Sequence, residues 1–367
     1  MCGNAFQAGN REIPGQNGPG ILCRSEKSQT RRVKKMNVGK IQESVLRRSV
    51  FRQLKTKREE VLCGAGPGED CAILSFPPGE ELLVSSAASV RTGRDAALYG
   101  IHTAVNNLAA CGGRPAAVWL TVLLPPEAEE EELRALMMQA EHVCAGLNIQ
   151  IAGGHTEVTS AVNRTALSVT AAGSAPPGQA IRTSGLHPGA ELVVTKWVGL
   201  EGTAVAAKEK EQELLTRFPA YLVEAAKGFD QYLSVFPEAS AALTSDAVKD
   251  GICAMTDVSE GGIFGAFWKM GESSGVGLEI DLKKIPIRQE TVEICNHLDL
   301  NPYELISGGS LLIAADDGYA LAESLEKVGI PAAVVGRATA GNDRIVLNGE
   351  EKRFLGPVRT DEIHKLI

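Results

Sequence analysis

The chain has 367 residues, 44% hydrophobic and 22% charged, which suits a globular protein of about two ordinary domains. No apolar run approaches the roughly 18 residues of a membrane span, and the start, MCGNAFQAGN, lacks a basic then apolar leader, so a cytoplasmic protein without membrane contact is expected. Residues 1–35 hold seven Lys/Arg against two Asp/Glu, leaving 30 basic and 43 acidic residues (net −13) over 36–367, a balance that argues against nucleic-acid binding.

The front segment is rich in Gly, Asn and Gln, has no apolar period, and reads as a disordered basic tail over 1–36. A helical face follows at Ile41, Val45, Leu46, Val50 and Leu54. The turn-rich GAGPGED (Gly64–Asp70) leads to strands at Cys71–Ser75 and Leu82–Ser86, a helix over Ala96–Ala110 and a strand over Ala116–Leu124. Pro125-Pro126 and the acidic run Glu127–Glu132, read as a solvated helix start, open a helix that Gly146 closes. Its buried stripe is Leu133, Leu136, Met137, Ala140, Val143 and Cys144. Ile149–Ala152 is a short strand ending in a glycine loop, Gly153–Glu157, and Thr165–Gly173 is another strand.

Ser174–Gly189 concentrates Pro, Gly and Ser and marks the domain boundary, with domains over 37–174 and 182–350. The second half runs strand (Leu192–Trp197), a long helical region (about Thr203–Leu243), strand (Ile252–Thr256), helix (Ile263–Met270) and strand (Val276–Leu282). It continues with helix (Arg288–Leu298), strand (Ser310–Ala315), helix (Tyr319–Val328) and strand (Ala332–Gly336). Both halves are therefore α/β layers. Eight cysteines, none in a CxxC pair, read as thiols in a reducing compartment, with Cys71 and Cys111 as core residues. His102 and Asn106 share one helix face as a packing or capping pair, and Lys196 reads as a phosphate contact or a solvated side chain.

Four glycine clusters sit at element junctions: Gly64, Gly66 and Gly68 before Glu69-Asp70; Gly153-Gly154 before His155, Thr156 and Glu157; Asp257-Val258-Ser259-Glu260-Gly261-Gly262; and Ser307-Gly308-Gly309-Ser310. Glycine lets backbone N–H groups approach a phosphate, and neighbouring carboxylates are what Mg²⁺ takes alongside phosphate oxygens. Each cluster alone reads as a tight turn, and none fits the phosphate-loop or dinucleotide fingerprints.

In order, however, Gly68-Glu69-Asp70-Cys71-Ala72, Asn106–Pro115 (NNLAACGGRP), Gly153-Gly154-His155-Thr156, Asp257–Gly262 and Ser307–Ile313 resemble the aminoimidazole ribonucleotide (AIR) synthase superfamily. That superfamily includes the hydrogenase maturation factor HypE, selenophosphate synthetase and thiamine-monophosphate kinase, and GGHT with Thr195-Lys196-Trp197 points to the HypE-like branch. The resemblance implies an N-terminal α/β domain that dimerises, a C-terminal α/β domain, and ATP with Mg²⁺ in a cleft at the dimer interface. It implies phosphoryl transfer to a small acceptor or maturation intermediate, with a maturation partner protein. Carried over, Asp70, His155 and Asp257 would be catalytic, with Asp70 and Glu69 on the metal. Gly66, Gly68, Asn106, Asn107, Gly153, Gly154, Thr156, Gly261 and Gly262 would hold nucleotide.

Three departures temper this. Ala87 stands where the superfamily has a metal-ligating Asp, Asn107 where it has a second one, and no cysteine follows Cys295, whereas HypE carries a reactive one near its end. The alternative expectation is a catalytically impaired homodimeric binding or scaffold protein that keeps the cleft.

Overall fold

The computed structural model describes residues 36–66, 69, 71–89, 95–245 and 251–366. The basic tail up to Lys35, and Gly68 and Asp70 of the first glycine cluster, lie outside these residues.

The described chain opens with β1 (Gly39–Lys40) and a short helix α1 (Glu43–Val45) that widens into a π-helical turn, Leu46–Phe51. The expected helix to Leu54 thus stops a turn early. A small hairpin, β2 (Val61–Cys63) on β3 (Ile73–Leu74), precedes β4 (Glu81–Ser89), α2 (Ala96–Ala110) and β5 (Arg114–Leu124). Then come α3 (Glu130–Gly146), β6 (Gln150–Val158) and β7 (Ala166–Ala175). One sheet has the order β1-β6-β5-β7-β4, with β5 and β6 parallel and the other neighbours antiparallel.

The second half contains β8 (Glu191–Thr195), α4 (Leu200–Glu209), α5 (Glu211–Arg217), α6 (Ala220–Lys227) and α7 (Phe236–Thr244). The long helical region is broken because Pro219 and Pro237 have no N–H to continue a helix and instead start new ones. Next are β9 (Ile252–Val258), α8 (Gly262–Ser274), β10 (Gly277–Asp281), α9 (Gln289–His297), β11 (Ser310–Ala315), α10 (Gly318–Lys327) and β12 (Ala332–Thr339). A hairpin absent from the sequence reading, β13 (Arg344–Asn348) with β14 (Glu351–Phe354), completes a sheet ordered β14-β13-β10-β12-β8-β11-β9. Among the described residues, no helix is long and apolar enough to cross a membrane.

The cores differ in kind. In the first half, Ile101, Val105 and Leu108 of α2 and Leu133, Met137 and Ala140 of α3 pack with Val118, Leu120, Val122 and Val169 on one sheet face. The seven-stranded sheet is packed on both faces: Phe267 and Met270 of α8 meet Leu192, Val194 and Leu312, while Leu321 and Leu325 of α10 meet Val193, Leu311 and Ile313. Burying a large side chain contributes about 1.5–3 kcal/mol, so these layers hold the scaffold under the sites. Helix α2 belongs to both halves, because Ala109 and Ala110 lie in the second sheet's core. Its Asn106 amide donates to the Leu233 carbonyl (2.8 Å) and accepts from the Val235 N–H (3.0 Å).

Candidate functional site

A cavity of about 750 Å³ opens beside β1 and β6. It gathers six of the residues that the resemblance assigns to the site: Gly66, Glu69, Gly153, Gly154, His155 and Thr156. Leu54 of the predicted helical face lines it too, as do Lys40, Phe51 and Trp119, which nothing in their local sequence marks. Gly153-Gly154-His155 is not a loop. The strand β6 runs through all three residues to Val158. A Cβ on Gly153 would lie 2.5 Å from the Trp119 ring, and one on Gly154, whose φ is +147°, would run into the Leu120 carbonyl. The pair lets β6 lie against β5 and leaves backbone bare at the cavity wall. His155 is exposed, with Nε2 3.0 Å from Glu157 Oε2, while Thr156 is buried and its carbonyl accepts from the Ile41 N–H (3.2 Å).

Two glutamates of α3 hold the opposite wall in place. Glu130 is not a solvated helix start: it is 7% exposed. It accepts from Arg48 Nε (2.5 Å), Arg48 Nη2 (2.6 Å) and Ser49 Oγ (2.7 Å). The Arg48 bonds hold its pKa down at about 2. Glu141 accepts from the Lys55 N–H (2.9 Å), the Thr56 N–H (2.6 Å) and Thr56 Oγ1 (2.7 Å). Between them they pin the segment that supplies Val50, Phe51 and Leu54 to the cavity.

At the glycine end, Glu69 is exposed, and the Cys63 thiol beside it has its pKa raised by that carboxylate. Cys71, expected in the core, is exposed and lines the cavity. Among the described residues, no group of three or more His, Cys, Asp or Glu is arranged to hold a metal ion.

A second cavity, about 250 Å³, lies where the two halves meet. Ala87 and Asn107, the two positions where the resemblance leads one to expect carboxylates, both line it, opposite Glu201 and Glu260 of the second half. Asn107 Nδ2 donates to Ser85 Oγ (3.0 Å). The remaining expected residues that are described, Asn106, Asp257, Gly261 and Gly262, line neither cavity. Asn106 is spent on backbone, as described. Asp257 is 5% exposed, and burial pushes its carboxyl pKa up against the opposing influence of Lys269. Gly261 and Gly262 lead into α8, with the Gly261 N–H bonded to Asp361. Lys196 is neither a phosphate contact nor solvated. It is 6% exposed, and its ammonium meets Glu238 Oε1 (2.8 Å) and the carbonyls of Tyr232 (2.8 Å) and Ser234 (2.6 Å).

The model for "AIR synthase related protein, N-terminal domain" matches residues 68–175, and that for the C-terminal domain matches 187–348. MJ0676 of Methanocaldococcus jannaschii, named provisionally as a hydrogenase expression/formation protein, is 24% identical over 84% of this chain and 91% of its own. Carbamoyl dehydratase HypE of Rhodobacter capsulatus is 25% identical over 72% of this chain and 77% of its own. The crystal structure of hydrogenase maturation protein HypE in complex with ATP superposes with a TM-score of 0.70 at 16% identity, covering 88% of this chain and 96% of that one. With two family models covering both α/β halves, and the same fold in HypE, the chain belongs to the AIR synthase-related family.

Proposed function

We propose that this chain binds ATP in the 750 Å³ cavity and directs its terminal phosphoryl group to a small acceptor or a maturation intermediate. The observation that carries the reading is convergence: Gly66, Glu69, Gly153, Gly154, His155 and Thr156 come from two distant motifs and line one cavity of ligand size. Phe51 and Leu54 offer apolar surface to a base, Lys40 and His155 offer donors to phosphate, and the bare Gly153-Gly154 backbone permits close approach. Mg²⁺ takes one or two carboxylates when phosphate oxygens complete its shell, and Glu69 with Asp70 would be those. Bound there, the metal would offset charge on the transferring group. A HypE that crystallises with ATP on this fold supports the nucleotide, the hydrogenase expression/formation relative supports a maturation role, and a crystal structure of a HypE-HypF complex on this fold supports a protein partner.

A homodimer belongs to the same reading. Across the face of the first sheet that no described helix covers, His155, Thr121, Ser168 and Ala88 stand in one row of paired residues. His155 lines the larger cavity and Ala88 the smaller. Three strand spacings, about 14 Å, separate them, too far for direct transfer within one chain. A second copy on that face would offer a shorter path, and the exposed Leu82 and Val84 at its edge give such a contact apolar surface.

The test is thermal unfolding with and without ATP and Mg²⁺. Ligand at a hundredfold its dissociation constant stabilises by about 2.7 kcal/mol, a rise of about 2–4 °C for a chain of this size. The scaffold reading is favoured by Ala87 and Asn107, which leave the smaller cavity without the superfamily's carboxylates on that side. A shift seen only in the Ala87→Asp/Asn107→Asp double variant would overturn nucleotide binding by this chain. A shift in the parent without ATP consumption would leave the scaffold.

A further inference from the structure

The larger cavity has two unlike ends. Leu46, Val50, Phe51 and Leu54 form an apolar wall faced by Met137 and Ile151, whereas Gly66, Gly153, Gly154 and His155 make a polar end. The apolar wall has little of its own to hold its shape. It comprises the three-residue α1, the π-helical turn Leu46–Phe51 and residues 52–56, which form no helix or strand. Isolated helices shorter than about 12 residues are marginal in water. The wide turn is closed by the Arg52 N–H on the Arg47 carbonyl (3.1 Å), an i to i+5 bond. It sends Leu46, Val50 and Phe51 to the cavity and leaves Arg48 and Ser49 against Glu130 of α3.

Two anchors of the wall stand on α3. Glu130 holds Arg48 and Ser49, and Glu141 holds Lys55 and Thr56, on either side of Val50, Phe51 and Leu54. The two carboxylates lie about three helical turns apart, roughly 16 Å, and so leave one face of the helix. Glu141 is 8% exposed, and its two oxygens differ. Oε1 accepts from the N–H groups of Lys55 and Thr56 and from the Thr56 hydroxyl, whereas Oε2 is buried with no hydrogen-bond partner among the described residues. A buried carboxylate with an idle oxygen costs stability, and an apolar side chain filling the same space is often the more stable choice. What this carboxylate gives in return is a fixed place for residues 55 and 56. Neither Glu130 nor Glu141 lines the cavity, so each acts through the wall.

We propose that Glu130 and Glu141 are positioning residues for the apolar end of the cavity, which seats the base of the nucleotide. The inference rests on the nucleotide reading and divides its binding energy in two. The base packs on Leu46, Val50, Phe51 and Leu54, the phosphates stay at the glycine end, and the two carboxylates set only the first contribution. With either anchor gone, the wall keeps its apolar side chains but must be ordered as the base binds, and that cost falls on affinity. The polar end is built on β6, which is paired along β5, and does not depend on the anchors.

The test titrates ATP and inorganic triphosphate, each with Mg²⁺, into the full chain by calorimetry. Triphosphate lacks the base, so the ratio of the two Kd values reads what the base adds. In the parent, ATP binds at least roughly tenfold tighter than triphosphate. Glu141→Ala and Glu130→Gln each raise the ATP Kd about tenfold and the triphosphate Kd by less than about twofold. Glu141→Gln, whose carbonyl still accepts from residues 55 and 56, recovers most of the loss. Leu325→Ala, in the core of the second half, lowers stability but leaves the ratio where the parent has it, which separates positioning from general destabilisation. The inference is overturned if the ratio stays at the parent's value in both anchor variants, or if both ligands weaken equally. A parent that binds ATP no tighter than triphosphate also sinks it. If Glu141→Ala does not fold, Glu130→Gln and Thr56→Val, which lacks only the hydroxyl donor, decide in its place. A parent that binds neither ligand fails the nucleotide reading itself, whereas a parent that binds ATP beside variants with an unchanged ratio fails this inference alone.

Discussion

Among the described residues, the five-stranded sheet wears helices on one face, whereas the seven-stranded sheet is covered on both, and their strands differ accordingly. Every residue of β11, SLLIAA, is buried, as a strand between two helical layers requires. β4, ELLVSSAAS, alternates from Leu82 onward, yet its outward residues include Leu82 and Val84, at 61% and 62% exposure. Apolar side chains on the wet side of an alternating strand are out of place in an isolated molecule. The lesson is that the second half buries a strand such as β11 between two layers, while the first leaves Leu82 and Val84 on a face that no described helix covers.

The strongest way to break this contrast is inside the covered sheet. Phe267→Ala, at a fully buried position of α8, is expected to cost about 3–5 kcal/mol in urea unfolding, with loss of a cooperative transition if little reserve remains. A smaller effect, readable by its pH dependence, is expected at Glu130. Its folded pKa, about 2, lies below the ordinary value of 4.5, so its contribution is whole above about pH 4.5 and is lost as pH falls through about 2. The stability gap between the parent and Glu130→Gln should close over that window. An unchanged gap at pH 2 would mean that the Arg48 contact is not its source.

The open face calls for a different readout. Leu82→Lys with Val84→Lys should weaken self-association in sedimentation by tenfold or more, a change of about 1.4 kcal/mol, while leaving the fold intact. Equal sedimentation of parent and variant would remove the dimer from the reading. The mildest change, Leu82→Ala, should move monomer stability by no more than about 0.5 kcal/mol, the contrast with Phe267 at its plainest.

Much of this architecture could be read from local pattern. The bounds of α2, the apolar stripe of α3 and the continuous apolar run of β11 matched the sequence because burial on a helix stripe or between two layers leaves a periodic trace. The misreadings had distant causes. Gly153-Gly154 signals a turn, yet it answers the Trp119 ring and the Leu120 carbonyl on the neighbouring strand. Glu130 looked like one charge in an acidic run, and its partner Arg48 stands 82 positions away. Lys196 gave no local sign of Glu238. The β13–β14 hairpin is the exception, since its two-residue turn, Gly349-Glu350, opens on a glycine with φ +64°, a readable signal. For the site, the motifs named one wall of the larger cavity and, through Glu260, touched the smaller one, whereas Glu201 belongs to no pattern that short-range reading detects.

Helix α2 ties the assembly order of the molecule to its geometry. Ala109 and Ala110 are fully or almost fully buried, but their neighbours there include Met255, Leu311 and Ile313, residues made long after them. While a ribosome has delivered only the first 175 residues, the end of α2 faces water and the Asn106 amide has neither backbone partner at 233 nor at 235. The first half therefore completes its packing only after β9 and β11 emerge, and heating should melt both halves in one cooperative event rather than two.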